Sequence, residues 1–98
     1  MTENTFEIKN EINKNLGFLE KEYHVKNIGI FGSFARGDNK KTSDIDILVE
    51  FSEPVGFFKF LELEEFLSKI LHRKVDLTTK KALKEIIKEE ILKETVYV

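Results

Sequence analysis

The sequence contains no cysteine, so disulfide frameworks, thiolate zinc sites and cysteine nucleophiles are excluded. Its single proline, Pro54, leaves little scope for a stiff linker between domains. A surplus of charge of one sign is also missing. Lys+Arg 16 against Asp+Glu 18 gives a formal net charge of -2. Without a basic excess, direct nucleic-acid binding is not expected, although a local basic patch can still hold a triphosphate. The apolar runs fall far short of the roughly 20 residues of a membrane span, and the N-terminus lacks a signal-peptide core. A cytoplasmic protein without membrane association is expected.

What is present is enough for one core. With 98 residues, 41% of them hydrophobic, the chain reads as a single domain spanning 1–98. A core of that size leaves no room for a separate acceptor-binding domain. No internal repeat or low-complexity segment interrupts it.

Ile8, Ile12, Leu16, Leu19 and Tyr23 recur at spacings of three and four, the stripe of one amphipathic helix, with Asn4 and Glu7 as its capping pair. Val25 to Phe31 reads as a buried strand that ends at Gly32-Ser33, before a short helix from Ser33 to Arg36. Gly37-Asp38-Asn39 is a turn. Ile45 to Phe51 is the clearest strand, with Ile45, Ile47, Val49 and Phe51 on one face. Ser52-Glu53-Pro54 breaks it and opens a second long helix whose Phe57, Phe60, Leu61, Leu63, Phe66, Leu67 and Ile70 suit a core. Lys74 to Leu77 is a short strand. Thr78 or Thr79 caps a last helix with the stripe Leu83, Ile86, Ile87 and Ile91. The order is α-β-α-β-α-β-α, an α+β fold with helices against a sheet. Residues 34–43 are too short for a parallel crossover, which takes about a dozen residues or more. The first two strands should therefore run antiparallel, and the sheet should be mixed.

Asp44 and Asp46 lie two apart at a strand start, so both point to one side with carboxylates roughly 6–7 Å apart along the strand. Two such carboxylates repel, and a divalent cation relieves the repulsion. Mg²⁺ suits oxygen ligands and keeps positions open for water and phosphates. Taken alone, a D-x-D pair is more often a solvated turn. Gly32-Ser33 alone fits either a phosphate-holding turn or an ordinary tight turn with Ser33 as helix cap. The spacing matches neither a Walker loop nor a dinucleotide fingerprint. An anion-binding turn and a carboxylate pair joined by one short loop favour a common site. Asp76, between Val75 and Leu77, can face the same side as Asp44 and Asp46. Arg36 is either a phosphate ligand or the partner of Asp38 or Glu50. His24 and His72 lack metal-ligand spacing and read as surface residues, as do Lys40 and Lys41. Glu62, Glu64 and Glu65 read as the solvated side of their helix.

The segments Gly32-Ser33-Phe34-Ala35-Arg36-Gly37-Asp38 and Ser43-Asp44-Ile45-Asp46-Ile47-Leu48-Val49 closely resemble the signature of the minimal nucleotidyltransferase family. That family is part of the DNA polymerase beta superfamily. The resemblance covers nearly the whole chain. It implies a nucleotidyltransferase fold, a mixed β-sheet flanked by helices, and metal-dependent transfer of a nucleoside monophosphate. Asp44, Asp46 and Asp76 would be the catalytic carboxylates holding two Mg²⁺ ions, while Gly32, Ser33 and, in one of its two readings, Arg36 would bind nucleotide. The implied substrate is ATP. The implied acceptor is a tyrosine on a HEPN-domain toxin that the protein silences as an antitoxin. The rival is a non-catalytic antitoxin that acts by binding alone, and third comes a small-molecule enzyme assembled across a homodimer.

Overall fold

A computed structural model describes residues 4–98, so residues 1–3 of the expected domain lie outside the described residues. The chain runs α1 (Thr5–Lys14), α2 (Leu16–Tyr23), β1 (Val25–Phe31), α3 (Gly32–Arg36), β2 (Ile45–Phe51), α4 (Phe57–Leu71), β3 (Val75–Thr79), a 3₁₀ turn (Lys80–Ala82), α5 (Glu85–Glu94) and β4 (Val96–Tyr97). The four strands form one sheet in the order β3-β2-β1-β4. β1 is antiparallel to β2 and to β4, and β2 is parallel to β3. The expected mixed sheet and the antiparallel β1–β2 pair are both present. None of the described helices is long and apolar enough to cross a membrane.

The cap at Asn4 forms as expected, its side chain accepting from the Glu7 N–H at 2.9 Å. The expected single first helix is two. At Asn15 the backbone leaves helical geometry (φ -109, ψ 6), and the Asn15 side-chain amide donates to the Glu11 carbonyl at 2.9 Å. The apolar stripe nevertheless survives the break. Ile8, Ile12, Leu19 and Tyr23 pack with Leu63, Leu67 and Leu71 of α4 against Ile30, Ile45, Ile47 and Val49 of the sheet. This places α1, α2 and α4 in the core.

β3 is an edge strand, and α4 satisfies two of its donors. Val75 N–H donates to Ser68 Oγ at 3.0 Å, and Leu77 N–H to Glu64 Oε2 at 2.9 Å. Glu64 is therefore a structural acceptor and not the solvated residue its position in the sequence suggested. Phe57 and Phe58, at the free start of α4, are 70% and 83% exposed, so the aromatic set is only partly core.

The C-terminal part departs most from expectation. Thr79 caps the 3₁₀ turn by accepting from the Ala82 N–H at 3.2 Å, and it does not cap α5. α5 buries none of its residues, and Ile86 is 88% exposed. Val96–Tyr97 then adds a short strand beside β1 that the periodicity did not suggest.

Candidate active site

The turn after β1 is set by Gly32, whose φ of +73 lies in the left-handed region that other residues rarely enter. A side chain there would also collide: a Cβ on Gly32 would lie 2.1 Å from Asp46 Oδ2. Glycine is needed for both the backbone bend and the close approach of the β2 carboxylate. Gly37, with φ +80, ends α3 and turns the chain towards the loop before β2. The Ser33 hydroxyl makes no hydrogen bond among the described residues.

Three carboxylates gather at the start of β2 and β3. Asp46 on β2 and Asp76 on β3 are register partners, and Asp44 precedes β2 by one residue. Asp46 is partly sheltered, while Asp44 and Asp76 are exposed. Burial, then repulsion from Asp76 and from Asp44, pushes the Asp46 carboxyl above its ordinary range. Arg36 opposes that rise. Asp44 also lies 3.9 Å from Lys74 Nζ, an exposed contact of small weight.

The loop that delivers Asp44 is fastened by a residue the motif did not reveal. Arg73 Nη1 donates to the Lys41 carbonyl at 2.7 Å and to the Ser43 carbonyl at 3.0 Å. Its guanidinium carbon lies 5.2 Å from the centre of the buried Phe34 ring. One side chain thus ties α3 to the loop before β2. The Ile45 N–H is held by the Lys74 carbonyl at 2.9 Å.

Arg36 forms ion pairs, one of them with an unexpected partner. Its Nε donates to Asp38 Oδ2 at 3.1 Å, as one of the sequence alternatives held. Its second partner is Glu94 at 3.4 Å and not Glu50, which instead accepts from Asn27 at 2.8 Å. Glu94 also accepts from the Gly32 N–H at 3.1 Å. Nothing in the local pattern around Glu94 marks it, because the contact spans 62 residues.

This arrangement has known counterparts. The profile of the nucleotidyltransferase domain matches residues 9–98. The chain belongs to the nucleotidyltransferase domain family. Protein adenylyltransferase MntA of Thermococcus cleftensis is 48% identical over 80 residues, covering 82% of this chain and 81% of that protein. MJ1215 of Methanocaldococcus jannaschii, provisionally named a protein adenylyltransferase, is 53% identical over 77 residues, covering 79% of this chain and 90% of that protein. A crystal structure of a toxin–antitoxin with AMP-PNP shares the fold with a TM-score of 0.74 at 24% identity, covering 91% of this chain and 70% of the matched one. A structure of a tri-AMPylated HEPN toxin from Shewanella oneidensis with its MNT antitoxin matches with a TM-score of 0.66 at 21% identity, covering 92% of this chain and 70% of that one.

In this nucleotidyltransferase, Gly32, Ser33, Asp44, Asp46 and Asp76 lie at adjoining ends of β1, β2 and β3, with Arg36 nearby on α3. The donor set suits Mg²⁺: hard carboxylate oxygens, one of them sheltered and raised by its like-charged neighbours. Among the described residues no three side chains close around a single point as a ready-made metal cage. An open carboxylate edge of this kind fits an ion that takes its remaining ligands from phosphates and water.

Proposed function

We infer that this nucleotidyltransferase moves AMP from ATP to a hydroxyl of a partner protein, a tyrosine of a HEPN-type toxin, and so acts as its antitoxin. The observation that carries the reading is the meeting of Asp44, Asp46 and Asp76 beside the Gly32-Ser33 turn. The relative named protein adenylyltransferase supports the protein acceptor, and the toxin–antitoxin structures of the same fold support the class of partner. The reaction needs ATP and Mg²⁺, which the cytoplasm supplies. Residues 1–98 work as one domain, with the acceptor pocket completed by the partner.

Ser33 and the Gly32 N–H hold the β- and γ-phosphate oxygens, and Arg36 adds positive charge beside them. Asp44, Asp46 and Asp76 hold the metal, two ions by the family resemblance. When bound, Mg²⁺ neutralises the triphosphate and stabilises the developing charge on the attacking and leaving oxygens. The acceptor oxygen attacks the α-phosphorus as the bond to the bridging β-phosphate oxygen breaks, and pyrophosphate leaves. The exposed Asp76 carboxylate stands on the open side, where it can take the proton of the acceptor hydroxyl. The partner also has apolar surface to meet, at the opposite end of β2 from the carboxylates. Phe57 and Phe58 are exposed side by side, their ring centres 5.8 Å apart. Tyr23 is buried and unsuited to self-modification, which leaves Tyr97 as the only exposed tyrosine of the chain itself.

Incubation with labelled ATP and Mg²⁺, with and without the product of the adjacent gene, tests the reading by intact mass. AMP mass on the partner, absent with Asp76→Ala, is the expected result. A partner silenced without added mass, and silenced equally by Asp44→Asn, would establish the binding-only antitoxin.

A further inference from the structure

Glu94 ends α5 and reaches the turn after β1 from the far end of the sequence. Its Oε1 accepts from the Gly32 N–H at 3.1 Å, and both of its oxygens lie 3.4 Å from Arg36 Nη1. These are two of the donors assigned above to the triphosphate. The chain therefore places its own anion, with two acceptor oxygens, where phosphate oxygens are needed. The single Gly32 N–H cannot serve Glu94 and an incoming phosphate at once, Glu94 takes up Arg36 Nη1 beside it, and the like charges would repel at contact distance.

Glu94 is the last residue of α5, a helix with no fully buried residue, and the strand that follows fastens that end. Thr95 lies over Gly29, with Cγ2 2.5 Å from the place a Cβ would take, so glycine leaves it the room. Val96 pairs with Ile30, Tyr97 pairs with Gly29, and Val98 N–H donates to the Ile28 carbonyl at 3.0 Å. A helix without fully buried residues, resting on α3 and β1 and fastened at its end by a two-residue strand, belongs to the weakly held part of the fold.

We propose that Glu94 is a built-in competitor for the triphosphate: with β4 docked it occupies the Gly32 and Arg36 donors, and nucleotide binds only as it withdraws. This rests on the assignment of those donors to phosphate made under the proposed function. It adds that nucleotide binding is linked to the position of α5 and β4, so that anything gripping the exposed α5 alters nucleotide affinity. The affinity of the intact protein is lower than its donors alone would give, in proportion to the fraction of molecules in which Glu94 is withdrawn.

The test is calorimetric titration of the full chain with ATP in Mg²⁺ and, separately, with inorganic pyrophosphate. Wild type is compared with Glu94→Gln, Glu94→Ala and Glu90→Gln, each checked for folding by thermal melt. Glu90 is exposed, lies one turn earlier on α5 and carries the same charge. Tightening of about threefold to tenfold for both Glu94 variants, with Glu90→Gln within about twofold of wild type, is expected. Unchanged or weaker binding in the Glu94 variants would overturn the proposal, since Glu94 would then only orient Arg36. Equal tightening by Glu90→Gln would also overturn it, because the effect would be net charge and not occupancy. If no protein binds either ligand, the phosphate assignment itself fails and the competitor falls with it. Binding by wild type that Glu94→Ala leaves unchanged refutes the competitor alone.

Discussion

Asp46 and Asp76 are register partners across the parallel β2–β3 pairing. Adjacent strands lie about 4.8 Å apart, and paired residues share a sheet face, so the two carboxylates are rooted side by side. Asp46 bears more of the cost because it is also partly sheltered, whereas Asp76 faces solvent. A group that the fold holds against its own electrostatics is poorly explained as a structural brace.

Asp46→Asn is accordingly expected to leave the metal-free protein as stable as wild type or more so, by up to about 1 kcal/mol. The same change should abolish Mg²⁺-dependent ATP binding. Melts in EDTA and calorimetry with ATP read the two effects separately. A large drop in stability would make Asp46 structural, and undiminished ATP binding would remove it from the site.

The pH dependence follows with a definite sign. The folded-state pKa of Asp46 is raised, so between its unfolded and folded values the native protein holds more protons than the unfolded chain. Stability therefore falls as pH rises through that window and is recovered as pH falls. In EDTA, the advantage of Asp46→Asn over wild type should be greatest near neutrality and shrink as the pH approaches about 4. An advantage that stays constant over this range would contradict the raised pKa.

Gly32→Ala should fail twice over. It forces a side chain into a backbone region with φ +73 and drives a Cβ against Asp46 Oδ2. A left-handed non-glycine residue costs on the order of 1 kcal/mol, and the collision adds to it. The two causes separate in a double-mutant cycle. In an Asp46→Ala background, the loss of stability caused by Gly32→Ala should shrink towards the backbone part, with only the Cβ of residue 46, 3.2 Å away, still in contact. Equal losses in both backgrounds would mean that Asp46 yields freely.

Arg73→Ala should loosen the loop before β2, since its two hydrogen bonds to the Lys41 and Ser43 carbonyls hold the residues that lead into Asp44. Arg73 touches no carboxylate of the site, so it is a positioning residue. Weaker Mg²⁺-dependent ATP binding is expected, by about tenfold, with the binding of metal-free pyrophosphate nearly unchanged. Partial rescue by Arg73→Lys would support the role. A parallel loss of pyrophosphate binding would point instead to a general disturbance of α3 through Phe34.

Much of this was legible in the sequence where local pattern and tertiary demand coincide. The bounds of β1 and β2 follow from apolar runs closed by Gly32-Ser33 and Ser52-Glu53-Pro54, and their antiparallel pairing follows from the length of the loop. The site motif is compact for the same reason, since all but Asp76 lies within 32–46. What escaped depends on distant partners. The break at Asn15 hides inside an unbroken apolar stripe because both helices keep the same buried face. α5 has a stripe but only rests half-buried against α3 and β1, so amphipathicity there overstated its burial. β4 is two residues long and exists through its pairing with β1, and Glu94 finds its contacts at the turn after β1, 62 residues away in sequence.

Gly29→Ala tests that last dependence from the opposite side of the contact. An added Cβ would lie 2.5 Å from Thr95 Cγ2, 3.2 Å from Tyr97 Cδ1 and 3.2 Å from the Val96 carbonyl oxygen. The Thr95 methyl cannot yield alone, because its hydroxyl is held by the Ile91 carbonyl at 2.6 Å and its backbone runs into β4. Relief must come from shifting β4 off β1, at about 1–3 kcal/mol for overpacking, while the β1–β2 pairing persists. Hydrogen exchange should then quicken at the Val98 amide, which donates to Ile28, and stay slow across β1 and β2. Because β4 positions Glu94, the same variant should also bind ATP more tightly, with the sign expected for Glu94→Ala. Faster exchange at Val98 with unaltered ATP affinity would show that Glu94 keeps its place without β4 and that the strand only finishes the sheet.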